Sequence, residues 1–409
     1  MRRFSGPLAF IFITLLIDFI GFGIIMPVVP KLIEQLIGGN ESDASWYGGW
    51  LTFAYAFMQF FFAPILGGLS DKYGRRPVLL LSMAGMGIDY LFLAYAPNIF
   101  WLFVGRIFIG ITGASMTAAS AYIADVSTPE KRAQNFGLLG MAVGIGFMLG
   151  PVIGGLISHT WGLRAPFFLT AGLSLLNAIY GYFILPESLK PENRRPFEWT
   201  RANPWGGLQQ MKKYRYIYPL LGSVALIYTA IHAIQSNWTY YTMFVFNWSE
   251  SMVGYSLSFA GLMLIIVQGG LIRIVLPKLG YHRAVYIGLL IYGTSFLLFA
   301  LAKEGWMMFP ILGLYGLGGI FGPSLQGVIS NQVPPNEQGE LQGTFTSLIS
   351  LTNIIGPLLM TGLFHFSTQE GAPVYFPAAP FVMASILTLL GAVLAIRAFR
   401  KHKSAAAAA

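Results

Sequence analysis

The sequence predicts an all-α membrane protein of twelve transmembrane helices, arranged as two pseudo-symmetric six-helix bundles. Three observations carry this. The composition is apolar and charge-poor, twelve apolar runs have membrane-spanning length, and punctuating residues repeat at a constant offset of 206.

Hydrophobic residues make up 55% of the 409 and charged residues only 10%. A soluble surface needs about 25% charged residues, so soluble globular, disordered, collagen-like and disulfide-stapled classes are excluded. There is no cysteine, hence no thiol chemistry. The net charge of +9 sits in short loops between apolar runs. It reads as an orientation bias in a bilayer rather than as a nucleic-acid footprint. Met1-Arg2-Arg3 followed by an apolar run imitates a signal peptide. The run reaches past Val28, contains Asp18 and lacks a small-x-small cleavage site, so it reads as a retained first span.

A span needs about 20 predominantly apolar residues. The runs fall at 8–29, 46–66, 77–96, 99–124, 136–158, 166–185, 217–245, 253–275, 284–302, 306–330, 343–364 and 380–398. Pro30, Pro64, Pro97, Pro129, Pro186 and Pro277 read as their punctuation. With the N-terminus in the cytoplasm, 21 of the 25 Lys and Arg fall on that side. Lys31, Arg164 and Lys303 fall outside, and Arg106 lies within a span. That asymmetry predicts both termini in the cytoplasm. The organisation expected is a six-helix bundle over 1–186, a cytoplasmic linker over 187–216, a second bundle over 217–403 and a tail over 404–409.

At the 206-residue offset Lys72 meets Lys278, Gly74 meets Gly280, Gly110 meets Gly316 and Gly113 meets Gly319. Pro129 meets Pro335, Gly137 meets Gly343, and Gly150-Pro151 meets Gly356-Pro357. One offset holding from the second loop to the fifth span points to internal duplication.

The loop between spans two and three reads Gly67-Gly-Leu-Ser-Asp71-Lys72-Tyr-Gly74-Arg75-Arg76. Its glycines permit a tight turn, and Asp71 suits a helix start. Arg75 can reach Asp125 at the cytoplasmic end of span four. Such a pair would latch one state and break in the other; the plainer alternative is a basic loop that only fixes topology. Asp18 lies about ten residues into span one, near the bilayer midplane at 1.5 Å per residue. An ionisable side chain there is expensive and is by default a functional candidate. Loaded with a proton on one side and unloaded on the other, it would be driven by about 2.3 kcal/mol per charge per 100 mV of membrane potential. The alternative is a structural hydrogen-bond partner. Arg106 lies at comparable depth and needs a counter-ion, for which Asp18 is one candidate. If they pair, protonating Asp18 frees Arg106, a two-state switch. Asp89, midway along span three, reads equally as a buried structural carboxylate or a coupling group. Polar residues within apolar spans outline a cavity: Gln59, Thr117, His232, Gln235, Asn237, Tyr240, Gln326 and Asn353. Pockets of this kind are mostly apolar with a few orienting polar groups; His232 reads as a hydrogen-bonding wall residue.

The 67–76 loop matches in full the Gly-x-Leu-x-Asp-x-x-Gly-Arg-Arg signature of the major facilitator superfamily, which the chain resembles. Arg106-x-x-x-Gly110-x-x-Gly113 is similar to that family's fourth-span motif. The run Gly146-Phe-Met-Leu-Gly150-Pro151-Val-Ile-Gly154-Gly155 is similar to the fifth-span motif of drug/proton antiporters. The stretches Leu16-Ile-Asp18 to Met26-Pro27, Arg76-Pro to Asp89-Tyr90, Ala121-Tyr-Ile-Ala-Asp125 and Gln338-Gly339-Glu340-Leu341-Gln342-Gly343 resemble the tetracycline/proton antiporter branch. The resemblance implies the two-bundle fold and a substrate site near the midplane. It implies coupling roles for Asp18, Asp89 and Arg106, and inter-half packing by Gly146, Gly150, Pro151, Gly154, Gly155, Gly356 and Pro357. Where tetracycline exporters carry an acid in span nine, this chain has Tyr292.

Two functions follow as expectations. One is a proton-coupled antiporter exporting a drug-like amphiphile, acting as a monomer in a bacterial inner membrane with protons and a small molecule as partners. The other is an importer or uniporter for a nutrient, lipid-like solute or metal chelate. A receptor or membrane enzyme lacks support: no nucleotide loop, metal-ligand cluster or nucleophile–base spacing is visible, and neither cofactor nor metal is expected.

Overall fold

The structure is a computed structural model that describes residues 6–199, 217–333 and 338–408. Its helices, in chain order, are α1 (Gly6–Ile37), α2 (Glu41–Tyr73), α3 (Arg75–Tyr95), α4 (Ile99–Thr112), α5 (Ser115–Val126), α6 (Pro129–Trp161) and α7 (Ala165–Ile184). There follow α8 (Tyr218–Gln235), α9 (Trp238–Phe246), α10 (Glu250–Ile266), α11 (Ile272–Leu301), α12 (Met308–Gly318), α13 (Phe321–Ser330), α14 (Gln338–Thr368) and α15 (Ala379–Ala408). There is no strand among the described residues. Helices are what a bilayer demands, because each satisfies its backbone polar groups internally.

Among the described residues eleven helical stretches are long and apolar enough to cross a membrane. One of them, Glu250–Leu301, has 52 residues, about 78 Å at 1.5 Å per residue. That is more than twice the hydrocarbon thickness of about 30 Å. It breaks at Gly280, whose φ of 72° is not helical, so it makes two crossings and the total is twelve.

Three expectations about helix continuity are corrected. Span four is not one helix: it stops at Thr112 and resumes at Ser115. Span ten breaks likewise between Gly318 and Phe321. Span seven divides between Gln235 and Trp238. The first two breaks fall at Gly113 and Gly319, partners in the 206-residue repeat. Three prolines expected to end spans lie inside helices instead: Pro30 in α1, Pro64 in α2 and Pro277 in α11. A membrane helix tolerates proline because neighbouring groups satisfy the freed carbonyl. Pro97, Pro129 and Pro186 do mark boundaries. The expected tail is helical through Ala408, where α15 ends, alanine being the best helix former. Much of the linker and Pro335 lie outside the described residues.

The chain forms two compact units. One takes its described residues from Met1–Gly39, Ala54–Pro204 and Trp248–Gly261, the other from Asn40–Phe53, Trp205–Asn247 and Leu262–Ala409. In the first, Phe10, Ile11 and Leu15 of α1 pack with Leu79 and Met83 of α3, Ala118 and Tyr122 of α5 and Ala142 of α6. The α1–α6 contact is a glycine ladder. Gly146, Gly150 and Gly154 recur every fourth residue on one face of α6, against Phe19, Ile20, Gly23 and Ile24 of α1. A methyl on Gly154 would lie 2.9 Å from Ile24 Cα, so small residues are what allow the backbones this close. The adjoining Gly155 faces Ser251, whose hydroxyl donates to the Gly155 carbonyl at 3.1 Å. In the second unit, Trp238, Phe299 and Phe381 form an aromatic core with ring centroids 5.1 to 6.3 Å apart. There Gly356 of α14 lies against the His232 ring of α8, and the Pro357 carbonyl accepts from Thr361 at 2.8 Å.

Candidate functional site: a buried charge cluster

The break in span four builds the site. Ending α4 at Thr112 frees carbonyls that a continuous helix would use. Side chains from two other helices take them up. Ser82 of α3 donates to the Thr112 carbonyl at 2.8 Å and accepts from the Ala114 amide at 3.1 Å. Gln59 of α2 donates to the Gly113 carbonyl at 3.3 Å and to the Tyr55 hydroxyl at 2.8 Å. Restarting the chain as α5 presents Ser115, its first residue, to Asp18 of α1, and the Ser115 side chain hydrogen-bonds that carboxyl. A helix N-terminus beside a carboxylate is favourable.

Asp18 is 5% exposed, and its Oδ2 is buried with no hydrogen-bond partner. Asp89, 2% exposed, pairs with the Arg106 guanidinium through Oδ2, while its Oδ1 and Arg106 Nε are buried and unpartnered. The counter-ion of Arg106 is therefore Asp89 and not Asp18, which corrects one sequence expectation. The reason is topological. Residues 89 and 106 sit at similar depth on helices joined by a tight connection at Ala96–Asn98, and Gly105 leaves the Asp89 carboxylate room beside α4. Two phenols complete the cluster. Tyr90, 1% exposed, sits against α1, where a methyl on Gly21 would lie 2.5 Å from its hydroxyl. Tyr55 and Tyr90 each lie within electrostatic reach of Asp18, Asp89 and Arg106. One guanidinium and two carboxyls cannot all be charged in this setting without net charge left over. The arrangement can therefore hold or surrender a proton.

A second constellation lies at the α2–α3 turn. Arg75 pairs with Asp71, donates to Ser70 at 3.2 Å and donates through Nε to Asp125 at 3.1 Å. Ser188 donates to the same Asp125 oxygen at 3.0 Å. Glu187 accepts from the amides of Arg75 and Arg76 at 2.8 and 3.2 Å, so a remote carboxylate caps α3. Arg76 donates to the Tyr182 carbonyl and lies over its ring at 5.5 Å. Gly74, at φ 109°, has no room for a side chain beside Glu187; Gly67 has open space.

The proposed cavity residues fare unevenly. Thr117, Gln235 and Gln326 are exposed, and Gln326 donates to Gln342 at 3.2 Å. His232 is buried, bonded to Ser236 at 3.1 Å and to Asn353. Tyr240 is buried with Gly48 against its hydroxyl. Asn237, at the break between α8 and α9, has no exposure and no partner for either side-chain atom. Tyr292 stacks on Tyr315 with ring centroids 4.3 Å apart, and the two hydroxyls are hydrogen-bonded. Among the described residues no cluster of His, Cys, Asp and Glu could hold a metal. Sequence reasoning misses Ser82, Ser115 and Glu187. A Ser just past Gly113 and the first acid after span six are the signals that point to the last two.

The Major Facilitator Superfamily model matches residues 11–308 and 276–408, and the chain belongs to that superfamily: it is an integral membrane transporter of a small molecule, not an enzyme. Within it the chain falls in the tetracycline-resistance branch. It is 38% identical over 375 residues to the class C tetracycline resistance protein of Escherichia coli, covering 90% of this chain and 94% of that one. It is 36% identical over 356 residues to the class B protein of Escherichia coli, covering 86% and 87%. Multidrug resistance protein 2 of Bacillus subtilis (strain 168) is 25% identical over 419 residues, covering 100% of both. Among solved structures, the human organic anion transporter MFSD10 matches with a TM-score of 0.69 at 25% identity, covering 95% of this chain and 98% of that one. A bacterial homologue of the human lysosomal transporter Spinster matches with a TM-score of 0.74 at 16% identity, covering 97% and 98%, a likeness of fold alone.

Proposed function

We propose that this protein is a proton-coupled antiporter that exports an amphiphilic, drug-like molecule by alternating access. It works as a monomer in a bacterial inner membrane with both termini in the cytoplasm. The observation that carries the reading is the buried cluster in which Arg106 is committed to Asp89 while Asp18 keeps an unpartnered oxygen. Asp18 is then the carboxyl free to take up the proton, and Tyr55 and Tyr90, which lie within electrostatic reach of both Asp18 and the Asp89–Arg106 pair, connect the two. Drug export is supported by the tetracycline and multidrug resistance proteins that match this chain over most of its length. Orientation is supported by the 21-to-3 distribution of basic residues. The Arg75–Asp71–Asp125 group serves as the cytoplasmic latch with Gly67, Gly74 and Arg76 as its frame. The expected inter-half packing narrows to Pro151 and Gly155, which face Gly254 and Ser251, because Gly146, Gly150 and Gly154 pack on α1 of their own half and Gly356 packs on His232 of its own. Gln59, Thr117, His232, Gln235, Asn237, Tyr240, Gln326 and Asn353 serve the substrate, Asn237 with one donor and one acceptor to offer. The 1–186 and 217–403 bundles act as the two moving halves.

Proteoliposomes with an imposed pH gradient test this, with tetracycline as the first probe and cationic dyes beside it. Substrate should move against the proton flux, and Asp18→Asn should stop it. Movement with the proton flux, or indifference to the gradient in wild type and variant alike, overturns the reading.

A further inference from the structure

The unit that holds the charge cluster also carries an apolar cavity of about 410 Å³ at the ends of α3 and α4 remote from the Gly74 turn. Ile88, Phe92, Tyr95, Ala96, Pro97 and Trp101 line it. Ile88, Tyr95 and Trp101 are 38%, 69% and 41% exposed. On a membrane-spanning segment that exposure faces hydrocarbon, and an apolar cavity of this kind does not hold water. Tyr95 and Trp101 mark the headgroup level, where tyrosine and tryptophan collect.

At the rim stands a cation. Arg164, just before α7, donates to the Ala94 carbonyl at 2.9 Å and to the Ala96 carbonyl at 2.8 Å, and Ala96 is part of the lining. No acid pairs with Arg164 among the described residues. A guanidinium has five N–H donors, so donors remain after the two carbonyls are served. The combination is an apolar slot beneath a cation without a counter-ion, at interfacial depth. We propose that this groove binds one anionic glycerophospholipid of the bilayer, an acyl chain in the cavity and the phosphate on Arg164.

The site adjoins the charge cluster. Phe92 stacks on Trp101 with centroids 5.8 Å apart and planes 20° from parallel. A methyl on Gly105 would meet Phe92 Cβ at 3.0 Å and Asp89 Oδ1 at 2.8 Å. The lipid chain thus rests one side chain away from the Asp89–Arg106 pair, and a filled groove holds Phe92 against α4. The proposal concerns the α3–α4 surface alone and stands whatever the transported molecule is.

The test uses the full-length protein in nanodiscs containing phosphatidylglycerol or phosphatidylcholine with brominated acyl chains. Quenching is measured for wild type and for Trp101→Phe, and the difference isolates Trp101. The phosphatidylglycerol should quench Trp101 at about fivefold lower mole fraction, the preference expected from one basic residue at the surface. Arg164→Gln removes the charge and should erase the preference. If that variant does not fold, loss of the wild-type preference at high salt decides instead. Equal quenching by both lipids in wild type, a preference that survives Arg164→Gln, or one untouched by salt overturns the proposal. So does displacement of the brominated lipid by a transported drug, which would make the groove a drug port.

Discussion

In the first half of the chain Asp89 and Arg106 form a buried ion pair between α3 and α4. At the repeat offset of 206 the corresponding places hold Ser295 and Leu312, both with no exposure. Ser295 spends its hydroxyl on the Ile291 carbonyl of its own helix at 2.7 Å. Asp18 likewise corresponds to Val224, which is buried. The second half instead carries the stacked Tyr292–Tyr315 pair. Backbone features are shared: Gly74 and Gly280 both adopt positive φ, and both Gly113 and Gly319 sit at helix breaks. The bends recur at the offset, while the buried carboxyls of Asp18 and Asp89 and the guanidinium of Arg106 lie in the first half. The second half needs only the same architecture, which neutral side chains fill without the desolvation cost of burying charge.

The largest effects should come from removing the first half's buried charges, at Asp89 and Arg106 by giving it the residues of the second. Asp18→Asn, near-isosteric, should cut proton-driven transport by on the order of 100-fold, the low end for a positioned proton carrier, with the fold intact by size-exclusion chromatography. Arg106→Leu alone strands Asp89 as an unpaired buried charge and should cost about 3–5 kcal/mol, seen as lost expression or a lowered unfolding temperature in detergent. Asp89→Ser with Arg106→Leu copies the second half. It should recover most of that stability and none of the transport. A double variant as unstable as the single would mean that the pair holds the helices together and that the comparison between halves is misdrawn.

The turn at Gly74 and the seam at Gly150-Pro151 are legible in the sequence because they need glycine and proline, which few other residues replace, and both recur at the one offset of 206. Charge is legible too, since Asp18, Asp89 and Arg106 stand out in apolar runs. Their partnering is not: the 3.6-residue period sets which face a residue occupies, but the lateral approach of α3 to α4 that joins Asp89 to Arg106 is a tertiary outcome. The break at 113–114 is hidden because one glycine in a helical pattern is compatible with continuity. What decides for a break is Ser82 and Gln59, distant in sequence, taking the freed carbonyl and amide groups.

The seams offer the next contrast. A methyl on Gly150 meets backbone, including Gly23 Cα at 2.8 Å, whereas one on Gly356 meets the His232 ring. Backbone cannot step aside and a ring can. Gly150→Ala should cost about 3 kcal/mol, the upper part of the range for overpacking, and Gly356→Ala about 1, read as thermal shifts in the same detergent. Equal shifts would show that His232, held by Ser236 and Asn353, is as immobile as a helix backbone.

The turns contrast more gently. Gly74 carries positive φ and faces Glu187, while Gly280 carries positive φ with nothing within 4 Å of the added carbon. Positive φ with ψ near 160°, as at both glycines, is essentially glycine-only backbone and costs another residue about 1–3 kcal/mol. Gly280→Ala should show only that, and Gly74→Ala should add the loss of the Glu187 cap on α3. Adding Glu187→Gln separates the two contributions, because it weakens the cap without touching the backbone. If Gly74→Ala costs no more than Gly280→Ala, the carboxylate cap is dispensable.

The smallest expected effect lies where the second half is most distinctive. Tyr292→Phe removes the hydroxyl bonded to Tyr315 but keeps the stack on its ring and the edge contact with Phe296. Losing one hydrogen bond of a neutral pair should cost about 1 kcal/mol, and proton-driven transport should stay within about threefold of wild type. A second half whose spans carry no Asp or Glu predicts this tolerance, since no proton passes through the phenols. A collapse of coupling comparable to Asp18→Asn would place a proton step at the Tyr292–Tyr315 dyad, and the division of labour between the halves would have to be redrawn.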